Sequence, residues 1–353
     1  MKALIVGAGP TGLTVAVELA RRGISPTIVD RRDGASTLSR AVGITPRSLE
    51  LLSHSGASKE LIAEGIAMDG LRVYHGTKLN LEMQLKSQTA YHPNLVCLPQ
   101  DRTEAIIAET LSRLGTEIAY GMTCENFTEE LDGVVVQFGD GKEEKYDHVI
   151  GADGIRSTVR ETAGIAYPGF DLSDRWSVAD VDLATWRHPG CLTVFQAGPG
   201  KVAVVVPIGE GRYRVVATGE KALDTMPIPL DVTNIRREGA FKISVRKAET
   251  YSTGRVHLAG DAAHAHSPVG GRGMNLGIAD AAELAKRLFE GGLAGYSEAR
   301  NGDALEARKI TERGRKMSTG PNLFRRVAFR GLVAAAGHLP SIQRRLGQFI
   351  VEF

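Results

Sequence analysis

The sequence predicts an α/β protein in which a domain of strands, glycine turns and helices is interleaved with a second domain that is mainly antiparallel sheet. Three observations carry this prediction. Residues 1–30 run strand, glycine turn, helix, strand and acid. The same idiom returns from Arg255, where a short apolar strand leads into Gly260-Asp261, a glycine-rich turn and a helix over about 275–290. Between the two lie alternating segments punctuated by Gly and Pro, the pattern of a sheet. Residues 1–69, 98–165 and 250–353 are accordingly assigned to the α/β domain, and 70–97 and 166–249 to the sheet domain.

The first strand is the apolar run from Ala3 to Val6. Gly7-Ala-Gly9-Pro10-Thr11-Gly12 follows at once, and residues 13–22 carry small and apolar side chains at helical spacing. Gly23 closes that helix at C′. A second strand from Pro26 ends in Asp30, about twenty residues beyond the glycines. This is an adenine-dinucleotide fingerprint of Rossmann type. Gly7 makes the turn, Gly9 lets the backbone approach a pyrophosphate, and Gly12 lets the helix pack closely on the strand. The positive end of the helix faces the phosphates, and Asp30 is placed to accept from a ribose hydroxyl. The fingerprint alone does not separate FAD from NAD(P).

A polar loop holding Arg31 and Arg40 comes next. Thr45 as N-cap and Pro46 at N1 then open a short helix. Residues 71–85 alternate around a Gly-containing turn and read as a hairpin. Asp101 and Glu104 have capping-box spacing for a helix that starts at Gln100 and stops at Gly115. Strands are expected over 131–138 and 146–150, the second leading into Gly151-Ala-Asp153-Gly154-Ile-Arg156-Ser157, and over 176–183, 192–196, 201–208 and 212–218.

Composition sets the outer bounds. With 353 residues, 42% hydrophobic and 24% charged, the chain is globular, which excludes disordered and collagen-like classes. A net charge of +2 makes no general case for nucleic acid. Cys97, Cys124 and Cys191 are odd in number, widely spaced and form no CxxC, so reduced thiols in a cytoplasmic protein are expected. Neither a secretion signal nor a bilayer-spanning segment is expected.

The most discriminating stretch runs from Gly254 through Gly260-Asp261-Ala-Ala-His264-Ala-His266-Ser-Pro268-Val-Gly-Gly271-Arg-Gly273-Met274-Asn275 to Asp280. It resembles the second flavin motif of the class A FAD-dependent monooxygenases with the para-hydroxybenzoate hydroxylase fold. Asp153-Gly154 is similar to that family's DG motif, with Arg156 at its usual basic position. The segments around Arg40 and Gln100 resemble its flavin-contacting arginine and glutamine. Residues 206–214 resemble its central-sheet strand pair.

The resemblance implies a Rossmann-type FAD-binding domain and a substrate-binding sheet domain. It implies non-covalent FAD, with NADPH or NADH as transient electron donor. The implied reaction is hydroxylation of a planar aromatic or polyketide-like small molecule with one atom of O2, through a flavin C4a-hydroperoxide. Cofactor contacts are expected from Gly7, Gly9, Pro10, Thr11, Gly12, Asp30, Arg31, Arg40, Gln100, Asp153, Gly154, Arg156, Gly260, Asp261, Gly271, Gly273, Met274 and Asn275. The first N–H groups of the helix at Met274 and Asn275 would face negative charge on the reduced ring. The Pro268 carbonyl is expected over the reacting centre. The alternatives are a flavin-dependent dehydrogenase or reductase without oxygen insertion, and a non-enzymatic flavin-binding protein.

Tyr74, His75, Tyr91, His92, Tyr213 and Arg214 lie on the expected substrate wall, where they can orient a phenol or carboxylate. Tyr213 and Arg214 are taken with Pro268 as the catalytic set. His264 and His266 stand two apart without a completing carboxylate or cysteine cluster, so packing or hydrogen bonding is expected of them and no metal site. Residues 324–353 mix arginines with apolar side chains and read as two short amphipathic helices covering the flavin domain, with no membrane role.

Overall fold

A computed structural model describes residues 1–87, 91–265 and 271–302, with the single positions 305, 331, 343 and 347. Pro268, His266 and the expected C-terminal helices of 324–353 thus lie outside the described residues, apart from those single positions.

One sheet has six strands, centred on Ala3–Val6, which pairs in parallel with Thr27–Asp30 on one side and His148–Gly151 on the other. Val256–Leu258 and Ile118–Tyr120 extend it, also in parallel. Its strands are near-continuous apolar runs because both faces are covered. Helix α1 (Pro10–Ala20) packs against α4 (Gln100–Arg113) and α6 (Gly273–Glu290), with α2 (Pro46–Ser53), α3 (Ala57–Glu64) and α5 (Thr158–Thr162) in chain order between. Leu4, Ile5, Leu13, Leu19, Ile28 and Ile150 are fully enclosed in the core this makes.

Local chemistry places the helix ends. Gly23 adopts φ +81°, and its N–H and that of Ile24 donate to Ala20 O and Leu19 O at 2.9 and 3.1 Å, a Schellman closure. Thr45 caps α2 by accepting from Ser48 N–H at 3.3 Å. The capping box expected of Asp101 and Glu104 does not form. Pro99 occupies the N-cap of α4, and the Gln100 N–H donates instead to Ser39 Oγ at 2.9 Å.

A second sheet has eight strands and takes up Gly70–His75, Lys78–Gln84 and four strands between Gly169 and Thr218. It also takes Val232–Lys247, a 16-residue strand that the sequence does not announce because Arg236-Arg237-Glu238-Gly239 breaks any alternation. That strand is held by pairing along most of Gly169–Leu183. His264–Ala265, from the segment assigned to the other domain, pairs onto its far edge. The strands expected over 131–138 and 146–150 form as Gly133–Phe138 and His148–Gly151, and the first of them lies in a separate three-stranded meander with Cys124–Glu130 and Glu143–Tyr146, two strands the sequence reading does not include. Tyr91 and His92 belong to no strand. They lie in the connection before Val96–Cys97, where the Tyr91 hydroxyl meets Ser58 Oγ at 2.6 Å.

Candidate cofactor and active site

The glycine turn between Ala3–Val6 and α1 is shaped by three different constraints. Gly7 has φ +105°, and a Cβ there would sit 2.5 Å from Ala152 O. A Cβ at Gly12 would fall 1.9 Å from Gly7 O, so the turn closes only around hydrogen. At Gly9 a Cβ would meet nothing within 4 Å. Packing therefore dictates the first and last glycine, whereas Gly9 borders open space ahead of α1.

Thr11 joins this turn to the second motif. Its side chain occupies the room left by two glycines, since a Cβ at Gly260 would approach Thr11 Oγ1 to 2.5 Å and one at Gly277 to 2.2 Å. The starts of α1 and α6 and the Gly260–Ala262 turn are thereby brought to one place. Three side chains fix that turn: Asp280 accepts from Gly260 N–H at 3.0 Å, Tyr167 donates to Asp261 O at 2.7 Å, and Arg160 donates to Ala262 O at 3.1 Å. Arg160 and Tyr167 also stack at 3.9 Å. Neither carries a motif, and their role is visible only in the fold. With its main chain held, Asp261 is an exposed residue whose carboxylate makes no hydrogen bond among the described residues, and the atoms crowding that carboxylate raise its pKa against the pull of His264 and Arg40.

Asp280 is the buried hub beneath this turn. It also accepts from His264 Nε2 and Arg300 Nε, each at 2.6 Å. Burial opposes its charge, but His264 and Arg300 outweigh burial and hold its pKa below the ordinary carboxylate value. His264 is likewise opposed by burial, and Asp280 raises its pKa on balance. His264 is thus a hydrogen-bonding partner of a carboxylate. Among the described residues no group of three or more His, Cys, Asp or Glu side chains is arranged to hold a metal ion.

The start of α6 is pinned by Asn275, whose Nδ2 donates to Gly43 O at 2.9 Å and Gly271 O at 3.1 Å while its Oδ1 accepts from Thr45 N–H at 2.9 Å. Its side chain is therefore occupied with the protein itself. Gly271 takes φ +64° in the turn leading to Gly273 and Met274. At the DG segment, Gly154 has φ +83° and Asp153 accepts from Val159 N–H at 3.2 Å, its Oδ1 being buried without a partner. Burial raises the Asp153 pKa despite the hydrogen bonds it accepts. Arg156 is exposed.

Asp30 departs from its expected freedom. Its carboxylate accepts from Ala8 N–H at 2.7 Å, from Arg32 N–H at 2.9 Å, and from Arg32 Nε and Nη2 at 3.0 Å each. Arg32 thus covers the acid that the fingerprint reserves for a ribose, and a ribose hydroxyl must share or displace it. Only the spacing of two residues in Asp30-Arg31-Arg32 hints at this. Beside them a crevice of about 40 Å³ is lined by Gly7, Asp30, Arg31, Met122, Cys124 and Thr158. Gln100 is also engaged: its Oε1 accepts from Ala41 N–H at 3.0 Å and its Nε2 donates to Glu104 at 2.8 Å. It holds the loop that carries Arg40, whose own side chain is exposed.

The expectation that Tyr213 and Arg214 together touch substrate is corrected by the sheet. Adjacent strand residues point to opposite faces, so the two cannot share one wall. Tyr213 packs with Val181, Val205, Phe195 and Trp186 on the face covered by residues 222–230, and Tyr74 joins it there. Arg214 lies on the other face, its side chain 2% exposed, forked onto Asp180 at 2.6 and 2.7 Å. On this second face Val73, Val194, Val204, Val216 and Val178 stand directly opposite one another on five successive strands. All but Val73 are only half-buried. They form an apolar row one step from Arg214.

A family model described as FAD binding domain matches residues 1–297. The 6-methylpretetramide 4-monooxygenase of Streptomyces rimosus is 32% identical over 94% of this chain, which spans 63% of that relative's length. The solved OxyS anhydrotetracycline hydroxylase of Streptomyces rimosus is 28% identical, with a TM-score of 0.81 over 100% of this chain and 76% of that one. The p-nitrophenol 4-monooxygenase PnpA of Pseudomonas putida, at 24% identity, shares the fold with a TM-score of 0.88 over 98% of this chain and 96% of its own. The chain belongs to the FAD-binding family of class A aromatic hydroxylases. FAD is the cofactor its dinucleotide fingerprint serves. No described helix is long and apolar enough to cross a membrane.

Proposed function

We propose that the protein is an NAD(P)H-dependent FAD monooxygenase that transfers one oxygen atom of O2 to a planar, uncharged aromatic or polyketide-like molecule. The reading is carried by the convergence of the Gly9 opening, the exposed residue Asp261 and the start of α6 around Thr11. The names of the relatives, a tetracycline-type hydroxylase among them, support the same chemistry.

The residues fit the cofactor. The space at Gly9 and the unpaired N–H groups at the start of α1 suit a pyrophosphate, and the small crevice beside Arg31 and Met122 adjoins Gly7 and Asp30 at the same end of the turn. Asp261 offers an acceptor to ribityl or phosphate-linked hydroxyls, and Arg40 offers a cation to the phosphates. Gly271 to Asn275 bring backbone against the ring, where the dipole of α6 favours negative charge. FAD, when bound, supplies the electron transfer and oxygen activation that no side chain supplies. The chain's own task is to orient the substrate against the valine row and to exclude water. With Arg214 neutralised by Asp180, that row suits a neutral ring system better than a benzoate. The free cysteines Cys97, Cys124 and Cys191 suit work in the cytoplasm.

Acid precipitation of the purified protein is expected to release free FAD. Flat polycyclic phenols are expected to accelerate NAD(P)H oxidation and to gain one oxygen by mass. Oxidation that never yields an oxygenated product would reject the monooxygenase reading.

A further inference from the structure

The loop from Arg31 to Val42 contains no helix or strand, so its backbone groups must find partners elsewhere in the fold. At its end the carbonyls do. Ser39 O accepts from Arg237 Nη1 at 2.6 Å, Arg40 O from Arg214 Nη1 at 2.9 Å, Ala41 O from Gln100 N–H at 3.1 Å and Val42 O from Leu98 N–H at 3.0 Å. Four successive carbonyls are held, two by the substrate-side sheet and two by the segment opening α4. The side chain of Arg40 is left exposed, with no ion pair among the described residues.

Arg214 and Arg237 do not reach this loop by chance of rotamer. Arg237, Asp180 and Arg214 stand opposite one another on three adjacent strands. Asp180 takes Nε and Nη2 of Arg214 in a fork, which leaves Nη1 directed at Arg40 O. A buried ion pair is a costly way to fill a sheet face, since apolar side chains of similar volume usually do it at least as well. What an apolar pair lacks is a donor of fixed direction.

We infer that Asp180, Arg214 and Arg237 form a clamp on the Ser39–Arg40 main chain that positions the Arg40 guanidinium toward the cofactor, making them positioning residues. The inference rests on the proposed contact of Arg40 with FAD. It ties the wall of the substrate space to the cofactor loop, because the clamp residues Asp180 and Arg214 lie two positions from Val178 and Val216 of the valine row. It also explains why the chain keeps two arginines on an otherwise apolar wall without offering either to a substrate.

The test is a double-mutant cycle on the full chain, reading FAD affinity by flavin fluorescence and apo-protein melting, with no turnover required. Arg40→Ala is expected to weaken FAD binding on the order of tenfold, and Arg237→Gln about threefold, with the apo melting temperature unchanged in both. Combined, the two are expected to bind FAD no more weakly than Arg40→Ala alone, because Arg237 acts through Arg40. Arg237→Lys, which retains a charged donor of similar reach where glutamine's amide is shorter and neutral, is expected to recover most of the affinity. Arg214→Lys gives a second arm if it folds, and the half-buried Arg237 carries the test if it does not. Full FAD affinity in Arg237→Gln, or losses that simply multiply in the double variant, would overturn the clamp while leaving the Arg40 contact standing. Unchanged affinity in Arg40→Ala would remove the cofactor contact and the clamp together.

Discussion

The side chain of Asn275 accepts from the backbone N–H of Thr45 at 2.9 Å across 230 residues of sequence. With its amide nitrogen on Gly43 O and Gly271 O, it locks the start of α6 to the N-cap of α2. Asn275→Ala leaves these buried main-chain groups unpaired, so a loss of about 1 to 3 kcal/mol in unfolding free energy is expected from urea titration of the apo protein. Asn275→Asp keeps one acceptor but sets an oxygen against two carbonyls, and is expected to be no better. Wild-type stability in both would show that the lock contributes nothing.

The two glycines nearest the helix separate packing from ligand clearance. Gly12→Ala forces a Cβ to 1.9 Å from Gly7 O and is expected to destabilise the protein even without cofactor. Gly9→Ala meets no protein atom within 4 Å and its φ of −82° suits alanine, so apo stability should change by less than about 1 kcal/mol. Its FAD affinity is expected to fall, because a methyl group stands where the pyrophosphate passes. Normal FAD binding by Gly9→Ala would place the cofactor elsewhere.

Asp261 offers a similar separation by charge. The residue is exposed and its main chain is held by Tyr167, so Asp261→Ala should leave the apo melting curve in place. FAD binding should weaken by roughly 1 to 3 kcal/mol for the lost acceptor. Equal affinities in equilibrium dialysis would remove Asp261 from the site.

His257 gives the fold a pH dependence of its own. Burial, then the neighbouring His148, lowers its pKa from 6.5 to about 3, and Ser252 Oγ and His148 Nδ1 bond its two ring nitrogens at 2.9 and 3.1 Å. The unfolded chain takes up this proton near pH 6.5 and the folded chain only near 3, so between those values the unfolded state binds more protons. Stability from the neutral ring is complete above about pH 6.5 and falls by up to about 1.4 kcal/mol per unit as the pH drops. Urea midpoints of His257→Gln should depend less on pH across this window than those of the wild type. Parallel curves would assign the dependence to other groups.

Short-range chemistry was legible in the sequence. The turn at Gly7 to Gly12 closes through atoms within a few residues and one neighbouring strand, Thr45 caps the helix that begins at the next residue, and Gly23 ends α1 by its own left-handed φ. Spacing alone located them, because a cap or a tight turn is satisfied by near neighbours. Tertiary structure decided what each polar side chain does. Asp30 is covered by Arg32 and bonded to Ala8, Gln100 holds Ala41 from 59 residues away, and Arg214 reaches Arg40 O across 174. Strand register turned Tyr213 into one face and Arg214 into the other, and pairing alone made a strand of Val232–Lys247. Register and long-range pairing depend on which strands meet, and no local pattern in a single chain specifies that.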